Sequence, residues 1–183
     1  MNYSLRKAII NDFAAVWSLF LNVRTKMEAE GNYSWSHKNY PLEEDFLNDI
    51  KNGEMYLYFS DDTLIGSCGI ARDPTSYFFE EKNKGKSAEI LSKTNLNFNY
   101  PSIILERFMV DSSFQGKGIG SSFLKEIQRL EGATNVIACV YKESEKTIAF
   151  YLHNGFKKHF LCSFADWGNA GENYYLCIKS ADE

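Results

Sequence analysis

The sequence predicts an α+β fold in a single domain, a sheet of about seven strands flanked by helices. Three observations carry this expectation. Seven stretches of strand length are apolar or alternate apolar with polar side chains. Four stretches between them repeat apolar residues at helical spacing. The chain has 183 residues, 44% of them apolar, enough for one core and too apolar for a disordered chain.

The elements follow in order. Tyr3–Ala8 alternates as a short strand does. Phe13, Val16, Trp17, Phe20, Val23 and Met27 then recur at helical spacing, with Asn11 and Asp12 as cap candidates. "GNYSWSHKNYP", Gly31–Pro41, is a polar and aromatic loop. A second helix spans "LEEDFLNDIKNG", with Leu42, Phe46, Leu47 and Ile50 on one side and Gly53 as its stop. Met55–Ser60 and Thr63–Ala71 form a hairpin turning at Asp61-Asp62. Residues 72–100 lose all periodicity, which suits an insertion, a lid or an excursion with a short helix. "SIILERFMVD" is a nearly continuous apolar run, the pattern of a strand buried on both faces. Ile119, Phe123, Leu124, Ile127 and Leu130 place one stripe on a helix ending near Gly132. "NVIACVY" is a strand, "SEKTIAFYLHN" a helix closed by Gly155, and "FKKHFLCSF" and "NYYLCIK" the last strands.

Composition removes several functions. A formal net charge of −4 disfavours a nucleic-acid partner, which calls for a basic face. No apolar run approaches the ~20 residues that span a bilayer, and no hydrophobic signal follows Met1. The four cysteines form no C-x-x-C pair, and three histidines make no metal spacing. A cytoplasmic protein with reduced thiols, no metal and no membrane partner is expected.

"SFQGKGIGSSF", Ser113–Phe123, puts three glycines in five residues between an apolar strand and a helix. Glycine costs about 0.5–1 kcal/mol relative to alanine inside a regular element, so bare backbone has a use here. Free N–H groups and the positive dipole end at a helix start bind phosphate. The dinucleotide fingerprint fails because Ser121 stands at its third glycine and no acidic residue ends the next strand. The Walker pattern fails at Glu80, ahead of Gly85-Lys86-Ser87.

Gln115-Gly116-Lys117-Gly118-Ile119-Gly120 fits Q/R-x-x-G-x-G/A and resembles the acetyl-CoA loop of the GCN5-related N-acetyltransferase (GNAT) family. "AFYLHNGF", Ala149–Phe156, is similar to that family's F-Y-x-x-x-G-F signature. "W…YP…DI..G", Trp35–Gly53, looks like part of a bacterial set of these enzymes. The resemblance covers nearly the whole chain, with 72–100 as the main departure. It implies a mixed, mostly antiparallel sheet in three layers, and acetyl transfer from acetyl-CoA to a primary amine.

The implied roles fall on numbered residues. Gln115, Gly116, Lys117, Gly118, Ile119, Gly120 and Ser121 would hold the pyrophosphate, with Lys117 either a point charge on it or plain surface. Phe108, Met109 and Val110 would line the pantetheine arm, and an N–H near Met109 would polarise the thioester carbonyl. Many relatives place Asn where Ser144 stands, leaving a shorter hydroxyl to make or lose a cofactor contact. Tyr151 maps onto the general acid, its rival role being a core aromatic. Glu106, in strand parity with Phe108 and Val110, is the nearest base, its rival role an ion pair with a neighbouring Lys or Arg. The acceptor is a small-molecule or peptide amine, which Glu43, Glu44 and Asp45 would favour as a cation unless they only start a helix. Tyr77, Phe78 or Phe79 of the insertion would touch it. A homodimer is compatible with the sequence. A catalytically idle, CoA-binding or regulatory module of the same fold stays open beside the enzyme.

Overall fold

The computed structural model describes residues 2–36, 40–72, 94, 96–97, 99–162 and 174–180. Its elements are β1 (Tyr3–Lys7), α1 (Phe13–Ala29), α2 (Glu43–Lys51), β2 (Met55–Ser60), β3 (Thr63–Ala71), β4 (Ser102–Val110) and α3 (Ile119–Glu131). β5 (Asn135–Tyr141), α4 (Glu145–His153), β6 (Lys157–Cys162) and β7 (Tyr174–Lys179) complete them. The strands form a seven-stranded sheet in the order β1-β2-β3-β4-β5-β7-β6, the α+β class the sequence predicts. The sheet is mostly antiparallel; β4 and β5 run parallel, as strands joined through a helix do.

The chain divides into two compact units, residues 1–70 with 106–129, and 71–105 with 130–183. In the first, Val16, Leu19, Phe20 and Val23 of α1 meet Phe46 and Ile50 of α2 and Met55 and Leu57 of β2. Phe20 and Phe46 are fully buried, their ring centroids 5.0 Å apart, and Trp17 lies 4.8 Å from Phe20. Such pairs add about 0.5–1.5 kcal/mol beyond area burial. The N-terminus of α1 departs from expectation. The Asp12 side chain does not cap the helix but turns back to accept from Ile9 N–H and from both arms of the Arg6 guanidinium. That ion pair holds the Asp12 carboxyl below its ordinary pKa.

α3 is fastened by Phe123, whose ring stacks on Tyr58 of β2 at 4.9 Å and on Phe108 of β4 at 5.0 Å. Phe123→Ala is expected to destabilise the protein by about 3–5 kcal/mol, read from urea unfolding, because it empties a fully buried site.

In the second unit, Leu96, Ile104, Ile137, Tyr174, Leu176 and Ile178 form a separate core. Most of the 72–100 stretch, with Tyr77, Phe78 and Phe79, lies outside the described residues. Its described ends are pinned. Arg72 forks onto both oxygens of Glu131 at 2.8 and 2.9 Å. Asn135 Nδ2, on a 2% exposed residue, donates to Asn97 O and Ser102 Oγ. Among the described residues Cys68 and Cys177 are free and buried, and Cys139 is free and half-buried.

Candidate active site

The site is built outward from the C-terminal end of β4. Asp111 N–H donates to Ile65 O, tying the strand end to β3. The Asp111 carboxylate then accepts from Ser113 N–H at 2.9 Å and closes a short 3-10 turn over Ser112–Phe114. Gln115 Nε2 returns to Val110 O at 2.8 Å. Gly116 and Gly118 follow with φ of 71° and 78°, a region that excludes most side chains. A Cβ at either would meet no protein atom within 4 Å, so the side on which it would stand is open.

The first α3 hydrogen bond runs from Ser122 N–H to Gly118 O. The N–H groups of Ile119, Gly120 and Ser121 therefore have no intrahelical acceptor, the ordinary state of a helix start. Buried Ile119, Phe123, Leu124 and Ile127 hold the helix beneath these donors. Lys117 Nζ rests on Ser113 O at 2.8 Å, next to the Phe114 ring.

Glu106 stands at the other end of this stretch and makes the ion pair with a neighbouring Arg that the sequence offered as its rival role, within a larger ion cluster that sequence reasoning missed. Arg107 takes a left-handed backbone, φ 48°, which costs a non-glycine residue about 1–2 kcal/mol. The turn breaks strict alternation, and the guanidinium reaches the carboxylate of its own neighbour: Arg107 Nη2 lies 3.0 Å from Glu106 Oε2. The same nitrogen is 2.5 Å from Asp49 Oδ2 of α2. Arg107 Nη1 donates to the Tyr40 hydroxyl at 2.9 Å, and the Tyr40 and Phe46 rings lie 5.6 Å from Cζ. Arg107 Nε is buried and has no hydrogen-bond partner among the described residues. Gly69 makes the room: a Cβ there would collide with the Asp49 carboxylate.

Burial raises the Asp49 carboxyl to about 6 against the opposing pull of Arg107. Burial lowers the Arg107 pKa, but Tyr40, Glu106 and Asp49 outweigh it and hold the guanidinium charged. Burial also drives the Tyr40 hydroxyl and the Cys68 thiol upward, so both stay neutral. The cluster sets one guanidinium between two carboxyl groups. One signal was available: Asp49 falls three positions after Phe46, on the buried side of α2. Among the neighbouring carboxylates, Asp45 accepts from Leu42 N–H at 2.6 Å and serves the start of α2.

Phe108 is half-buried against Phe123, while the Met109 side chain joins the core of α1 and α2. The parallel pairing of β4 with β5 runs from Ser102↔Asn135 to Leu105↔Ala138, and Glu106–Val110 follow the last of these pairs. β4 and its glycine loop thus carry every predicted catalytic and cofactor residue except Tyr151 and Ser144, which belong to the second unit, while Glu43, Glu44 and Asp45 start α2. There, Tyr151 of α4 is 4% exposed, its ring 5.2 Å from Phe150 and 4.9 Å from Phe156. Ser144 is buried at the N-terminus of α4, its carbonyl accepting from Ile148 N–H.

This sheet order with a glycine-bounded helix after β4 defines the class: a GNAT-type acyltransferase fold. A GNAT-family acetyltransferase from Streptococcus agalactiae superposes with a TM-score of 0.75 at 15% identity, over 99% of this chain and 96% of that one. The PaiA N-acetyltransferase from Thermoplasma acidophilum, solved with coenzyme A, gives 0.65 at 18%, over 98% and 99%. Arabidopsis thaliana Naa50, solved with the bisubstrate analogue CoA-Ac-MVNAL, gives 0.64 at 15%, over 98% and 99%. No curated protein matches the sequence. Residues 51–158 match the acetyltransferase (GNAT) domain, and the chain belongs to the GNAT acetyltransferase family.

Proposed function

We propose that the protein is an acetyl-CoA-dependent N-acetyltransferase acting on a primary amine, small-molecule or peptide, by direct attack while both substrates are bound. The observation that carries this reading is the glycine-bounded start of α3 after β4, with Gly116 and Gly118 left-handed and the next N–H groups outside the helix ladder. Gln115–Ser121 would hold the pyrophosphate, and main-chain groups of Phe108–Val110 would bond the pantetheine amides. Ser144 offers a hydroxyl where a longer amide is usual. Relatives of the same fold solved with coenzyme A or a CoA-peptide analogue support the cofactor.

An alkyl amine has a pKa of about 10.4 and arrives charged at neutral pH. Glu106 would take that proton, directly or through water. The neutral nitrogen attacks the thioester carbonyl, and an N–H near Met109 steadies the developing oxyanion. The new C–N bond forms and the C–S bond breaks; Tyr151 would protonate the leaving thiolate, and the second proton shed by the attacking nitrogen would return through water to the Tyr151 phenolate. Positioning supplies much of the acceleration.

A second reading, a catalytically idle CoA-binding module, draws on the ion pair that already engages Glu106. Calorimetry with acetyl-CoA, followed by free-thiol release over a panel of aminoglycosides, polyamines, amino acids and peptides, separates the two. The enzyme reading expects binding and thiol release with at least one amine. Binding without release supports the idle CoA-binding module, and no binding ends both of these and leaves a regulatory module of the same fold that takes no CoA.

A further inference from the structure

We propose that Arg107 and Asp49 are a positioning pair that fixes both the place and the acidity of the Glu106 carboxylate. The inference rests on the reading of Glu106 as proton acceptor. Three local departures from easy folding converge on one nitrogen. Arg107 is left-handed, Gly69 must lack a side chain, and a carboxylate occupies the buried side of α2. An apolar trio of similar volume would be as stable or more so, so stability alone does not account for the arrangement. Exposure rises outward through the cluster: the Arg107 side chain is 4% exposed, Asp49 10% and Glu106 17%. The inner two members hold, and the outer one is presented.

The electrostatics give each member a task. Arg107 holds the Glu106 carboxylate through Nη2, and Asp49 shares that nitrogen. A contacting opposite charge favours a carboxylate and a like charge disfavours it, so the two members act on Glu106 in opposite senses. The groups facing Glu106 are Arg107 from its own strand, Asp49 from α2, the Tyr40 hydroxyl, and the Cys68 thiol from β3, which bonds the Glu106 carbonyl at 3.6 Å. Glu54 and Asp45 act from further off, on Asp49 and Tyr40 respectively.

The pair predicts opposite shifts from its two members. Carboxyl 13C NMR titration, with the Glu106 signal assigned by its loss in Glu106→Gln, reads them directly. In Asp49→Asn the Glu106 midpoint falls by about one unit, because a like charge is gone. In Arg107→Gln it rises by about one unit, because two carboxylates then face each other. Arg107→Lys keeps it near the wild-type value. The acidic limb of kcat/KM, measured with acetyl-CoA and n-propylamine, moves in the same directions. Midpoints that stay put, or move the same way in both variants, overturn the pair. Should Arg107→Gln not fold, the wild-type protein still decides: Asp49 and Glu106 must show coupled, two-step titrations, and independent single-site curves overturn the pair. A lost limb in Glu106→Gln with unmoved midpoints leaves Glu106 as base and removes the pair. A Glu106→Gln protein with the wild-type pH profile overturns the base reading, and with it the catalytic purpose of the pair.

Discussion

Tyr151→Phe is expected to lower kcat by about 10²–10⁴-fold, the usual worth of a general acid, while the KM for acetyl-CoA hardly moves. The substitution keeps the ring that packs edge-on against Phe150 and Phe156 and deletes only the hydroxyl. An unchanged melting temperature separates the lost proton from a folding defect. The measurement needs conditions where chemistry limits turnover, which single-turnover kinetics supply. Wild-type kcat in the variant would mean that the phenol only packs. The thiolate would then leave unprotonated or take a proton from water, which a thiol pKa of about 8.5 permits. Combined with Glu106→Gln, the two losses should not add fully, because both residues serve one transfer.

Gly118→Val should weaken acetyl-CoA binding by about 10²–10³-fold in calorimetry, the worth of roughly two charge-assisted hydrogen bonds. At Gly118 the φ of 78° disfavours any side chain, and a Cβ would project into space that no protein atom fills. The strain costs about 1–2 kcal/mol, well short of unfolding a helix anchored by Phe123, Leu124 and Ile127. A folded variant with unchanged affinity would remove the glycine loop from the cofactor site.

Much of this protein is legible residue by residue because the signals are local. The hairpin turn falls at Asp61-Asp62, where Asp61 takes a φ of 51°. The stripe of Ile119, Phe123, Leu124 and Ile127 defines α3, and the glycines ahead of it fall where the backbone is left-handed. Gly155 closes α4 with φ 86°. Each depends on side-chain period or on the φ that one residue type tolerates, so a short window of sequence determines it.

Beyond the pair of Glu106 with its neighbour, the ion cluster was not legible, because its other members meet only in three dimensions. Arg107 lies 58 positions from Asp49 and 67 from Tyr40. Pattern reading took "SIILERFMVD" as an apolar strand and offered Glu106 a neighbouring Arg as partner, but gave no sign of Asp49 or Tyr40. The strand order is likewise a tertiary decision: β7 lies between β5 and β6, pairing antiparallel with both. The sequence alone determined the elements, the glycine loop and the family. Tertiary structure decided which charges share a buried nitrogen, because burying a carboxylate is tolerable only where a distant strand supplies its counter-ion.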